Sequence, residues 1–303
     1  MKIIAYFSLV TLSISLMGFA FIPTVKAEPK NYKATLLAEY STFDARQGVA
    51  VDDQYFYAAN NFRITKHDKK TGKALLQWDG KNSEIGPLIH LDSLMEWNGK
   101  LYGAHSNYPH TPMLSSVEIW DSSTMEHIGN HSFGRSLGSF TWLDRHAGFW
   151  WGGFGNYDKV QKGETTAYGK TSNTAVVKMN DKFEIIEQWS LPPGILQKMT
   201  PMSNSGGSFS DDGYLYITGH DHEEIYVVEI PKFGSQLIWL ATIETPGIEG
   251  QGIAWDRTEK QRVLWGLIKQ DRHIKKYLIP HIQIDHSLRK NGVVNTPNNF
   301  SKN

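Results

Sequence analysis

A Gln-Gly step, a short apolar run and an Asp occur together twice in this chain, as Gln47-Gly48-Val49-Ala50-Val51-Asp52 and as Gln251-Gly252-Ile253-Ala254-Trp255-Asp256. Each copy leads through a turn into a second strand-like run, residues 55–58 in one case and 263–267 in the other. Three looser copies lie between them. Short strands recurring at a fixed period cannot bury a hydrophobic face one unit at a time, whereas stacking the units around an axis can. The pattern therefore predicts an all-β propeller.

The first repeat, residues 47–78, reads as four strands with turns at Asp53-Gln54 and Lys70-Thr71-Gly72-Lys73. The second, 90–133, carries Asn98-Gly99, the residue pair that best tolerates the positive φ of a tight hairpin. The third opens at Ser139-Phe140-Thr141-Trp142 and holds a Gly- and Lys-rich insertion over about 155–172. The fourth, 206–243, turns at Asp211-Asp212-Gly213. The fifth offers strands at 251–256, 263–267 and 274–279 but no fourth strand, while residues 34–40 form a strand with no repeat of its own. Pairing that orphan with the fifth repeat closes a ring and removes exposed sheet edges. The expectation is a five-bladed β-propeller closed by an N-terminal strand, with a sixth blade hidden in the long connections as the alternative.

Lys2, an apolar run over 3–21 and Val25-Lys26-Ala27 before Glu28 read as a secretory signal peptide, an uncleaved anchor being the other reading of so long a run. The expected division is a signal at 1–27, one propeller over 28–285 and a polar tail at 286–303, with the mature chain secreted or periplasmic and off the membrane. The chain has no cysteine, which excludes disulfides, thiol nucleophiles and thiolate metal sites. Its 31 basic and 31 acidic residues leave no basic excess to neutralise phosphates, so nucleic acid is not an expected partner.

In a propeller, the entries to the inner strands and the loops joining second to third strands open on one face around the axis. Aligning the turn aspartates sets Gln47, Asp92, Ser139, Gly206 and Gln251 at the five inner-strand mouths. The second-to-third loops contain Asn60 to Arg63, His105 to His110 with Asn107 and Tyr108, Asn156 and Tyr157, His220-Asp221-His222, and Lys269 to His273. With His90, six of the 12 histidines fall on this face: His90, His105, His110, His220, His222 and His273. Neutral imidazole serves both as a base near neutral pH and as a metal ligand, and carboxylate or amide oxygens suit harder cations.

Candidate catalytic residues are accordingly Asp92, His105 and His220. Candidate substrate contacts are Gln47, Arg63, His90, Asn107, Tyr108, Asn156, Asn204, His222 and Gln251, and a divalent cation is a possible cofactor. Each has a plainer alternative. Asp92 is either a base or a cap on backbone amides, and His105 and His110 either act on a ligand or frame a structural turn. His220 and His222, two apart, either share one side of an extended segment or are solvated. The Met202-to-Ser208 stretch, with Asn204, is either an anion-holding nest or a wide turn. Trp78, Trp120, Trp189 and Trp239 read as packing between blades, while Trp142, Trp150 and Trp151 are candidates to line the funnel.

Arg46-Gln47-Gly48-Val49-Ala50-Val51-Asp52, Phe56-Tyr57-Ala58 and Ile64 to Lys73 with its Asp-x-x-Thr-Gly-Lys hairpin resemble the opening blade of glutaminyl-peptide cyclotransferase propellers. More broadly, the chain resembles secreted propellers of the gluconolactonase and lactonising cycloisomerase kind. That resemblance implies bases or ligands in an axial funnel, with Asp92, His105, Asn107, Asn156, Asn204 and His220 as the matching positions. The function expected is a lactonase, cycloisomerase or cyclotransferase-like enzyme acting on a small polar molecule in the funnel. The alternative is a non-catalytic propeller that binds a sugar, a peptide or a protein partner.

Overall fold

A computed structural model of the chain describes residues 29–81 and 88–290, so the expected signal peptide and the tail from 291 onward lie outside the described residues. The N-terminal strands are β1 (Lys30–Lys33) and β2 (Thr35–Ser41). Blade 1 comprises β3 (Gly48–Val51), β4 (Tyr55–Ala59), β5 (Arg63–Asp68) and β6 (Ala74–Asp79). Blade 2 comprises β7 (Leu91–Trp97), β8 (Lys100–Ser106), β9 (Leu114–Asp121) and β10 (His127–Arg135). Blade 3 comprises β11 (Ser139–His146), β12 (Phe149–Gly155), β13 (Ala175–Met179) and β14 (Ile185–Ser190). A short helix α1 (Pro193–Met199) then leads to blade 4, built from β15 (Gly206–Phe209), β16 (Leu215–Thr218), β17 (Glu224–Glu229) and β18 (Ile238–Glu244). Blade 5 takes β19 (Ala254–Trp255), β20 (Val263–Ile268) and β21 (His273–Leu278).

The five-bladed expectation holds, including its closure. β2 pairs antiparallel with β21, Thr35 opposite Leu278 and Tyr40 opposite Ile274, and so supplies the missing outer strand of blade 5. β1 adds something the sequence pattern did not suggest: it runs parallel to β18 as a fifth strand on blade 4, Lys30 opposite Ala241. The expected tail begins as a short 3-10 turn, His286–Lys290, that buries Leu288 and pairs Arg289 with Glu229 of blade 4.

Turn chemistry explains why the blades form where they do. Asp68 accepts the backbone N–H of Thr71, and Asp121 accepts those of Ser123 and Thr124, so the hairpins between third and fourth strands of blades 1 and 2 use the same side-chain device. The core is then partitioned as a ring demands, into five hydrophobic clusters, each shared by two neighbouring blades. Trp142, Trp151 and Trp189 fill the seam between blades 3 and 4, Trp120 that between blades 1 and 2, and Trp265 that between blades 5 and 1. Trp142 on β11 and Trp150 and Trp151 on β12, expected as candidates to line the funnel, are instead buried in these seams, because side chains along a blade's strands alternate between its two flanking blades, as Trp150 and Trp151 do, rather than facing the axis.

Room at the axis comes from the repeated Gln-Gly step. Gly252 N–H donates to Gln47 C=O at 2.8 Å, so the two motif copies meet as neighbours. A Cβ on Gly48 would stand 2.5 Å from the Asp92 carbonyl and one on Gly252 would stand 2.8 Å from Gly48 Cα, so only glycine permits this approach. The strand received into the gap is β7, which breaks register between Leu91 and Leu94. Such a bulge re-aims side chains, here at Asp92 and Ser93.

Candidate functional site

The axis has two mouths, because Asp92 near the start of β7 and Glu96 near its end belong to opposite faces. At the lower mouth lies a shallow, solvent-open hollow with an enclosed volume of only about 10 Å³, lined among others by Glu96, Asp144, Ser208, Trp255 and Arg257. Its main carboxylate is fully engaged: Asp144 accepts from Ser208 Oγ at 3.1 Å, Phe209 N at 2.5 Å and Arg257 NH2 at 2.6 Å.

The upper mouth brings His105 and His220 within electrostatic reach of His90, and there one buried carboxylate oxygen is not engaged. Asp92 is 6% exposed, and its Oδ2 has no hydrogen-bond partner among the described residues. His90 Nε2 lies 3.5 Å from that oxygen, too far and too neutral for a strong ion pair. Burial pushes the Asp92 carboxyl well above its ordinary value, only partly opposed by the Lys269 ammonium. Burial likewise holds His90 down to about 3, helped by Lys269, His105 and His220, and holds His105 down to about 4. Burial thus disfavours the charged form of both groups, the carboxylate of Asp92 and the imidazolium of His90. Lys269 is itself lowered, by burial first and then by nearby Arg46.

One wall is aromatic. The Tyr108 ring packs 4.7 Å from His90, 5.5 Å from Tyr157 and 6.3 Å from Tyr168, and its hydroxyl donates to Gln161 Oε1 at 2.6 Å. Tyr157, Gln161 and Tyr168 belong to the insertion between β12 and β13, and Thr111 Oγ1 to Glu164 Oε2 at 2.9 Å ties that insertion to the His105–His110 loop. At the other side, Gln47 donates to Asn61 Oδ1, and Gln251 is buried with a φ of 66°.

Among the candidates read from sequence, Asp92, His90, His105 and Tyr108 converge, with Gln47 and Gln251 at the adjoining inner-strand mouths and His220 within electrostatic reach of His90. Four others are used to hold loops. Arg63 donates to Asp44 through Nε at 2.9 Å and NH2 at 2.7 Å, in a buried knot with Asn60 and Thr65. Asn107 bridges Leu114 N and Pro112 O, Asn156 reaches Leu137 O and Asn173 O, and Asn204 joins Trp142 Nε1 to Gly206 O and Thr218 O. His222 is exposed, whereas His220 turns inward and bonds Asp221 at 2.6 Å, so the two do not form a facing pair. Among the described residues no group of three or more His, Asp or Glu side chains has the arrangement of a metal site.

The insertion tyrosines, Gln161, Lys269 and Arg46 were not read as site residues. Lys269 had a signal, since it opens the second-to-third loop of blade 5 as Asn60 opens that of blade 1.

No family model matches the chain, and no curated protein matches it in sequence. Among solved structures it is similar to a luciferin-regenerating enzyme at 10% identity, with a TM-score of 0.47 over 81% of this chain and 94% of that one. It is similar to a chain of a mitotic checkpoint complex at 8% identity, with a TM-score of 0.45 over 90% of this chain and 100% of that one. It is also similar to the PQQ-bound form of an aldose sugar dehydrogenase from Streptomyces coelicolor at 12% identity, with a TM-score of 0.45 over 86% of each chain. The propeller assignment itself rests on the sheet pairing and the five inter-blade clusters.

Proposed function

We propose that this chain is a secreted or periplasmic propeller enzyme of the lactonase or cycloisomerase type, acting on a small polar substrate at the upper mouth. One observation carries the reading: a buried carboxyl at the axis, Asp92, with an oxygen that finds no partner among the described residues, beside a neutral buried imidazole. A framework residue in that position would leave the cost of an unsatisfied group uncompensated. A catalytic one needs the group free to meet a reacting atom.

The environments push the two kinds of group apart, and this assigns their roles. In this reading Asp92, raised by burial, serves as the proton donor, and His105, lowered to about 4, is the uncharged base. For a lactone, His105 takes a proton from water as its oxygen attacks the carbonyl carbon, and Asp92 gives a proton to the departing ring oxygen. His90, 3.5 Å from Asp92, is suited to relay a proton back and restore both groups. Lys269 and Arg46 add positive charge toward which a carboxylate product or substrate is drawn.

The test is turnover of a panel of γ- and δ-lactones by the wild-type chain and by Asp92→Asn. Loss of about 10²-fold or more in kcat/KM in the folded variant is the expected result. A wild-type chain that binds these compounds without converting them is a binding protein, and the enzyme reading then fails.

A further inference from the structure

A second line of polar contacts leads away from the upper mouth inside blade 2. His105 Nδ1 lies 3.0 Å from Ser116 Oγ, its cross-strand partner on β9. Ser116 Oγ donates to Glu118 Oε1 at 2.6 Å, and Glu118 Oε2 lies 2.8 Å from His127 Nε2. Ser116 and Glu118, two residues apart on one strand, share a sheet face. Glu118 is 4% exposed, in the seam between blades 1 and 2, where Trp78 and Trp120 pack against His127.

Proton bookkeeping along this line has one consistent solution. A carboxylate only accepts, so the single hydroxyl proton of Ser116 is committed to Glu118. The Ser116 oxygen is left as an acceptor, and the His105 nitrogen facing it must carry hydrogen. His105 is then uncharged with Nδ1 protonated and Nε2 bare. A second contact at the other end of the ring agrees, because Ile89 N–H lies 3.4 Å from Nε2 and so treats it as an acceptor, a long contact that an incoming water must displace before that lone pair can act.

We infer that Glu118 and Ser116 are positioning residues that fix the His105 tautomer, so that Nε2 presents its lone pair as the base of the upper mouth. The inference rests on the acid–base reading above for its purpose, though not for its geometry. The arrangement resembles a carboxylate orienting a catalytic imidazole, with a hydroxyl interposed between them. A wrong tautomer would offer the mouth an N–H where a lone pair is needed, and the sequence pattern alone gives no hint of it because Ser116 and Glu118 lie in strand positions normally read as packing.

The direct experiment is long-range ¹H–¹⁵N correlation spectroscopy of the full chain with labelled imidazoles at neutral pH, His105 being assigned through His105→Gln. The expected wild-type spectrum shows Nδ1–H and bare Nε2, Ser116→Ala shifts the population toward Nε2–H, and Ser116→Thr, which keeps the hydroxyl, restores the wild-type pattern. A purely structural role for Ser116 would leave the tautomer alone. A wild-type His105 protonated at Nε2, or a tautomer unchanged in Ser116→Ala, overturns the inference. The wild-type spectrum decides the matter even where the alanine variant fails to fold. With a lactone that the wild type converts, Ser116→Ala is expected to lower kcat about 10²-fold with KM unchanged. A chain that converts no lactone but shows the expected tautomer series refutes the enzyme reading and leaves the positioning relay standing.

Discussion

The two mouths of the axial channel use the same residue types in opposite ways. Below, Asp144 is surrounded by donors from blades 4 and 5, and Asp256 accepts from Trp265 Nε1 at 2.9 Å and Lys69 Nζ at 3.0 Å. Above, Asp92 is equally buried and leaves Oδ2 without a partner among the described residues. A saturated carboxylate ties neighbouring blades together, whereas an unsaturated one weakens the fold and is retained where chemistry or binding uses it. An open hollow is visible below, so shape alone would select that end, and it is the satisfaction of the buried carboxylates that separates the two mouths.

Substitutions at matched positions break or sharpen this contrast. The largest stability loss is expected at the lower mouth: Asp144→Ala strips the donors of Ser208 and Phe209 N–H of their acceptor and should cost about 3 kcal/mol in urea unfolding, with catalysis by the folded fraction unchanged. At the upper mouth Asp92→Asn removes the cost of burying an ionisable carboxyl and should leave the chain at least as stable at neutral pH while abolishing turnover. Equal losses at both ends would remove the distinction.

Acid and alkali should also probe the upper mouth in opposite directions. His90 and His105 are lowered from 6.5 to about 3 and about 4, so the unfolded chain protonates first, and their contribution to stability is complete above about pH 6.5 and is lost as the pH falls toward 4 and then 3. Asp92 is raised, so its contribution is present below its ordinary 3.8 and is lost as the pH rises through its higher folded value. Thermal melts across pH should show His90→Gln flattening the acid side and Asp92→Asn flattening the alkaline side. The smallest effect is expected from Lys269→Met. Removing that ammonium takes away a charge that favours ionised Asp92, so the alkaline limb of a pH–rate profile should move up, by less than about one unit.

The ring was legible because its parts are local: hairpin turns such as Asn98-Gly99 and the Asp-capped turns fix strand pairs, and the unmatched strand at 34–40 had one vacant place to go. β1 was not, since Lys-Asn-Tyr-Lys carries no apolar alternation and its parallel pairing is set by blade 4. The site was half legible. Polar loop residues such as Arg63, Asn156 and Asn204 look like ligands in a sequence, yet a loop must also satisfy its own backbone, and these side chains do that work. His220 and His222 fail as a pair because the segment bends where an extended one was assumed. Tyr157 was placed on the funnel face by its loop, whereas Gln161 and Tyr168 lie deeper in the Gly- and Lys-rich insertion, where no strand register fixes their direction, and the tilt of Asp92 depends on a bulge no local pattern announces.

The early segment has a mechanical consequence. β1 joins blade 4 and β2 joins blade 5, with only Ala34 between them, so eleven residues clasp two adjacent blades on their outer edges. Their partners, Ala241 to Glu244 and His273 to Leu278, lie far along the sequence from this segment, so the ring of blades can lock only once these distant strands have met. Tension applied ahead of β1 would unzip this clasp first and spring the circle open.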